Sequence, residues 1–251
     1  MSGILTALQG VVTLGNTQVF RADAYASFLK LAVPFDIVNQ ADDIAYKISG
    51  SGLTTPASKT QGGNATITNT QVLWAGGTDP NYQRSLNHVA TGGQDGLLYT
   101  LPTAIPATTG GTYVVECWIY ANSATTNANW TFSNADFGGG RWLFGFSTNS
   151  STSFGGENNV GLNGATWRHI AIVCDGGTRR FYRNGVHLGA WVGNVSAFSN
   201  LYVGYQLNGD PNDFRGHMTD LRVYVGTNKG YTGTSGVSSN FTLPSSIIQT
   251  M

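Results

Sequence analysis

The sequence predicts an all-β domain, a sandwich or a barrel. Three observations predict it. Short runs rich in Val, Ile, Tyr, Phe and Trp recur along the chain, and these residue types fit a pleated, half-buried surface. Clusters of Gly, Asn, Ser and Thr separate the runs, as turns between strands require. Few windows sustain the 3.6-residue period of an amphipathic helix. Apolar residues at 41% and aromatics at 12% of 251 residues supply a core, and a chain of this length folds without a metal or disulfide staple. Charged residues make up only 10%, against a usual share of about 25%, so the polar surface is built from Ser, Thr, Asn, Gln and Gly.

The chain divides into an N-terminal arm, residues 1–22, and one β-rich body, residues 23–251. The arm carries Ile4, Leu5, Leu8, Val11, Val12 and Leu14 among scattered glycines. It reads as a frayed helix or an extended segment that is apolar enough to seek a partner surface. In the body, Phe28–Val33 reads as a strand stopped by Pro34. Thr66–Thr68, Gln71–Trp74 and Leu97–Leu101 are short strand candidates, and Tyr113–Tyr120 is a strong aromatic and β-branched one. Trp130–Phe132 and Arg141–Phe146 follow. The clearest local structure is a meander over about residues 168–174, 179–183 and 186–191. Asp175-Gly176 and Asn184-Gly185 mark its two turns, because Asn-Gly tolerates the positive φ that a type I′ hairpin demands. Leu201–Tyr205 and His217–Val225 complete the series. Strict alternation in the last run puts Met218, Asp220, Arg222 and Tyr224 on one face, opposite Thr219, Leu221, Val223 and Val225.

Thirteen basic and thirteen acidic residues balance to zero net charge. Nucleic acid is therefore not expected as a partner: phosphate binding needs clustered cations, and Arg179, Arg180 and Arg183 fall on both faces of one strand. No run approaches the length of a membrane span, and Met1–Phe20 lacks the basic and apolar regions of a signal peptide. Cys117 and Cys174 read as two buried, reduced thiols on strands, with a cross-strand disulfide as the alternative under oxidising conditions.

Trp167-Arg-His-Ile-Ala-Ile-Val, then Asp175-Gly-Gly-Thr and Phe181-Tyr-Arg-Asn-Gly-Val, resembles the central hairpins of concanavalin A-like, laminin G-like jelly rolls. Tyr113–Tyr120 resembles the strand before those hairpins. Phe214–Gly226, Tyr231-Thr and Asn240-Phe-Thr-Leu-Pro244 resemble the closing strand and tail. This closing pattern, with the opening Asp23–Asp36 segment, is similar to versions carried by tailed-phage virion proteins. The resemblance spans about residues 23–245. It implies a jelly-roll sandwich of two antiparallel sheets, with His169 packed beside the hairpin.

This fold also hosts glycoside hydrolases, whose retaining members need two carboxyl groups about 5–5.5 Å apart. The hydrolases of this fold carry them on one strand as Glu-x-Asp-x-x-Glu. The only glutamates here are Glu116 and Glu157, and neither lies in such a pattern. No G-x-S-x-G elbow accompanies the four histidines, His88, His169, His187 and His217. No Cys/His spacing suits zinc, and Gly138–Gly140 precedes no helix as a phosphate loop would.

No cofactor is expected. Calcium is the one cation worth weighing, at the oxygen-rich loop Asn208-Gly-Asp-Pro-Asn-Asp213 with Asp210, Asn212 and Asp213 as ligands; a plain turn has the same composition. A bound sugar would need an exposed ring beside polar groups, and Trp130, Trp191 and Tyr205 are the candidates against an ordinary packing role.

The expectation is a non-enzymatic structural protein on a virion surface, assembled in the host cytoplasm. It would decorate a head or form part of a tail, held as a homo-oligomer on the major capsid or tail protein through its arm. The alternative is a carbohydrate-binding adhesin module of a phage tail or fibre, or another glycan-binding lectin-like protein, directed at a cell-surface glycan. Neither expectation involves a membrane.

Overall fold

The computed structural model describes residues 23–35, 45–47, 50–62, 65–68, 73, 85–89, 96–121, 132–134, 165–191, 195–204, 214–231 and 243. Among these residues, twelve strands form two antiparallel sheets. They are β1 (Leu29–Val33), β2 (Ser58–Gly62), β3 (Thr66–Thr68), β4 (Ser85–Val89), β5 (Gly96–Ile105), β6 (Thr112–Ala121), β7 (Phe132–Ser133), β8 (Trp167–Asp175), β9 (Thr178–Arg183), β10 (Val186–Trp191), β11 (Phe198–Val203) and β12 (Arg215–Val225). The larger sheet runs β10-β9-β8-β6-β12-β4-β3, with β1 also on β12. The smaller runs β2-β5-β11-β7.

β12 is long enough to hold two partners on one edge. Leu221–Tyr224 pairs with β1 and Arg215–Met218 with β4, while β6 takes the other edge along nearly its whole length. The first and last strands among the described residues are thus neighbours.

The β8–β9–β10 meander is present as read. Asp175 pairs with Thr178 around Gly176 and Gly177, and Arg183 pairs with Val186 around Asn184 and Gly185. Asn184 (φ 48°) and Gly185 (φ 78°) both have positive φ, as a type I′ turn requires. Asn184 also binds β8 directly: its Oδ1 accepts from the His169 N–H at 2.8 Å.

The main core lies between the sheets. Val115, Cys117 and Ile119 of β6, Ile170, Ile172 and Cys174 of β8, and Leu221 and Val223 of β12 face Leu97, Tyr99 and Leu101 of β5 and Leu201 and Val203 of β11. The two thiols are free and buried. Cys117 is opposite Ile170, and Cys174 is opposite Tyr113. They stand four residues apart along paired strands, about 13 Å at strand rise, which is too far for a disulfide.

Two strands departed from the sequence pattern. β5 runs on through Pro102, where pairing with β11 is irregular between Thr100 and Ile105 and β2 has already ended, so the missing N–H disturbs no regular ladder. In β12, strict alternation fails. Met218 shares the inner core with Leu221 and Val223, because Asp220 adopts φ 54° and forms a bulge between Thr219 and Arg222. The extra residue shifts the facing of everything after it by one. Pro34 holds the bulge from outside: its carbonyl accepts from Thr219 Oγ1 at 2.7 Å and from the Asp220 N–H at 3.3 Å.

Candidate functional site

The outer face of the larger sheet, turned away from the main core, carries the densest chemistry among the described residues. Alternation along β6 directs Val114, Glu116, Trp118 and Tyr120 outward. β8 adds Trp167, His169, Ala171 and Val173, and β12 adds Arg222 and Tyr224 after its bulge. This face is not bare. Leu29, Ala32, Ala45, Leu53, Val114, Ala171, Val173, Tyr182, Tyr224 and Tyr231 form a second buried cluster, with the chain before β1 and the chain after β12 folded over it.

Glu116 sits beneath that cover with no exposed surface. Lys229 Nζ donates to its Oε1 at 2.6 Å, and Tyr231 Oη donates to its Oε2 at 2.8 Å. His169 Nε2 lies 3.7 Å from Oε2, beyond hydrogen-bond range. Burial alone would raise the Glu116 pKa, but the Lys229 ammonium, then His169 and Arg222, outweigh it and hold the carboxyl at about 2. Burial lowers His169 to about 4 against the pull of Glu116, and the ring packs edge-on to Trp118 at 5.3 Å.

A second carboxylate lies close by. Asp220 is buried, and Arg222 grips it bidentately, Nε to Oδ1 at 2.8 Å and Nη2 to Oδ2 at 2.6 Å. Burial raises the Asp220 pKa, the charge of Glu116 adds to the rise, and Arg222 opposes it. Two neighbouring carboxyls under a jelly-roll sheet face are what a glycosidase would need. Here each is held by its own cation, Tyr231 takes the second oxygen of Glu116, and both carboxylates are buried. The network is built as two counter-ion pairs.

Further along the same face, His217 Nδ1 lies 3.0 Å from Ser85 Oγ. Burial pushes His217 down to about 4, so it is neutral at physiological pH. A serine triad presents Nε2 to the serine and Nδ1–H to a carboxylate; this pair turns the other nitrogen to the serine. At the end of the face, Tyr120 and Trp167, opposite each other in register, are half-buried with centroids 5.7 Å apart. Tyr120 also meets His217 edge-on at 6.0 Å. Asn87 is paired with His217 and half-exposed.

None of the sequence-predicted site residues is among the residues that build this site. Trp130, Tyr205, Asp210, Asn212 and Asp213, and the arm residues Ile4, Leu5, Leu8, Val11, Val12 and Leu14, are outside the described residues. Trp191 ends β10, on a strand edge of the larger sheet; its side chain is outside the description. No group of three or more His, Cys, Asp or Glu suited to a metal occurs among the described residues. What sequence reasoning missed is the assembly of Glu116, Asp220, Arg222, Lys229 and Tyr231. Lys229 lies in a turn, and no local motif announces that its side chain reaches back to β6.

A family model for the concanavalin A-like lectin/glucanases superfamily matches residues 91–227, more than half the chain. Among solved structures, domain 4 of AbnA, an extracellular GH43 arabinanase from Geobacillus stearothermophilus in complex with arabinotriose, is 18% identical, with a TM-score of 0.49 over 79% of this chain and 92% of that one. Trypanosoma rangeli sialidase is 13% identical, with a TM-score of 0.50 over 86% of this chain and 33% of that one. The binding domain of botulinum neurotoxin serotype D is 15% identical, with a TM-score of 0.48 over 80% of this chain and 49% of that one. The chain thus spans about half of the toxin domain and a third of the sialidase. At these identities the likeness is one of fold. No curated protein matches the sequence. On the family match, the paired antiparallel sheets and the core between them, the chain belongs to the concanavalin A-like lectin/glucanase superfamily, with a laminin G-like jelly roll as its body.

Proposed function

We propose that this chain is a non-catalytic structural module on the surface of a virion, joined to a larger assembly through the segment before Asp23. One observation carries the proposal: both outer-face carboxylates, Glu116 and Asp220, are neutralised in place by Lys229 and Arg222 and buried. A pair held this way is costly to break and poor at attacking or protonating a substrate. The ends of the described body support the attachment. Tyr224 Oη donates to Asp23 Oδ2 at 2.7 Å, and Tyr25 Oη donates to the Lys229 carbonyl at 3.1 Å. A partner that captures the apolar arm would therefore pull on a point already tied to the closing strand. The virion context rests on the likeness of the opening and closing segments to phage proteins, and the low charge of the chain suits a surface packed among neighbours. Particles assembled with and without residues 1–22 of this chain test it. Retention on the particle only with the arm supports the proposal, and equal retention contradicts it.

The second reading is a glycan-binding role within the same module. Tyr120, Trp167, Asn87 and His217 favour it, since partly open rings beside polar side chains suit the C–H and hydroxyl faces of a sugar, and the family is lectin-like. Glycan-array binding lost on Trp167→Ala would favour adhesion, and an array without signal would count against it.

A further inference from the structure

The Lys229 ammonium is enclosed as a ligand would be. Its Nζ lies 4.2 Å from the centroid of the Tyr224 ring, 5.1 Å from that of Tyr231 and 5.8 Å from that of Tyr25. The Glu116 carboxylate completes the enclosure at 2.6 Å. Tyrosine faces attract a cation through the ring quadrupole, more strongly where water is excluded, and the Lys229 side chain is only 8% exposed. The three rings come from three separate parts of the chain: the opening segment, the closing strand and the turn after it. Lys229 itself is presented by a tight turn with φ 55°, in which Asn228 Oδ1 accepts from the Gly230 N–H at 2.9 Å.

We infer that Glu116, Tyr25, Tyr224 and Tyr231 form a binding site for a primary alkylammonium, which the chain fills with its own Lys229, and that this occupancy fastens the segment before β1 to the turn after β12. Removal of the ammonium leaves a charged carboxylate facing a ring-lined hole, so the opening segment and the turn after β12 lose their common anchor. Hydrogen bonds remain, among them Tyr224 to Asp23, Tyr25 to the Lys229 carbonyl, Tyr231 to Glu116, Tyr182 Oη to the Tyr231 carbonyl at 3.2 Å and the Gly226 N–H to the Thr112 carbonyl at 2.8 Å, but the ion pair that joins the turn to β6 is gone. This holds whatever the assembled partner is, and it does not depend on the virion or the glycan reading.

Chemical rescue tests it. In full-length Lys229→Ala, amide exchange should rise by about tenfold or more in both residues 24–33 and residues 226–231, with β8 and β9 little changed. Addition of n-propylammonium chloride, which replaces the missing end of the side chain, should restore protection in both segments saturably. Sodium chloride and 1-propanol at equal concentration should not. Equal restoration by 1-propanol would mean that simple cavity filling suffices, and equal restoration by sodium chloride would mean that screening does; either overturns the inference. So does loosening of only one segment. Should the alanine variant fail to fold, Lys229→Met keeps the stem without the charge. It should loosen both segments and show no response to propylammonium; unchanged exchange in Lys229→Met overturns the inference as well.

Discussion

Glu116 has both oxygens engaged, one by an ammonium and one by a phenol, and shows no surface to water. Removal of one member of such a pair strands the other charge in a desolvated place, which costs about 3–5 kcal/mol. Glu116→Gln should therefore lower the urea midpoint strongly, while Asp175→Asn, at an exposed turn, should barely move it; equal small effects would contradict the geometry. The same residues set an acid limit. Glu116 drops from an ordinary 4.5 to about 2 in the fold, so its contribution is complete above about 4.5 and lost as pH falls towards 2. His169 and His217 drop from 6.5 to about 4, because burial disfavours their charged forms. Between 6.5 and 4 the unfolded chain takes up protons that the folded one refuses, so stability falls on acidification across that window. The slope approaches about 1.4 kcal/mol per pH unit for each histidine. Urea midpoints measured from pH 7.5 to 4.5 should decline steadily, and His217→Asn should flatten the decline. A midpoint that stayed level would contradict the burial of both rings.

Two local devices shape the elements. The β12 bulge rests on Asp220, whose positive φ and whose bidentate bond to Arg222 occur in one residue. Asp220→Asn keeps a side chain that tolerates the left-handed conformation, whereas Asp220→Ala loses that tolerance along with the counter-ion. Both substitutions should destabilise through the unpaired Arg222, alanine more than asparagine by about 1 kcal/mol. A reversed order in denaturant titration would mean that the backbone conformation contributes nothing. At Gly216 an added Cβ would come within 2.1 Å of the Tyr120 carbonyl oxygen. Gly216→Ala therefore forces β12 away from β6 and should prevent native folding or lower the melting temperature sharply. The meander was legible because Asn184-Gly185 and Asp175-Gly176 state their turns in the residues themselves. β2 (Ser58–Gly62) and β4 (Ser85–Val89) were not read as strands: Ser-Lys-Thr-Gln-Gly and Ser-Leu-Asn-His-Val hold too few apolar residues, and pairing with β5 and β12 decides them. The bulge was invisible for a similar reason. An alternating run looks the same whether or not one residue is pushed out, and only the Pro34 carbonyl and Arg222 show the break.

At the scale of the molecule, the sandwich followed from turn spacing and β-branched runs, and its family from motifs that lie in sequence around the central hairpins. The candidate site did not follow, because its members come from β6, β8, β12 and the turn after it, and long-range packing leaves no spacing rule to read. The calcium candidates and the glycan candidates Trp130 and Tyr205 fall outside the described residues, and Trp191 is described only as the last residue of β10, while the ring pair Tyr120 and Trp167 stands at strand ends that composition passes over. Among the described residues, the outer sheet face is where the opening segment and the turn after β12 are tied together. The central claim is that the Glu116 and Asp220 carboxyls are counter-ions and not catalysts. Release of reducing sugar from a panel of polysaccharides, measured for the native chain and for Glu116→Gln, tests it most directly. No release from either is the predicted result; release by the native chain that vanishes in Glu116→Gln would contradict it.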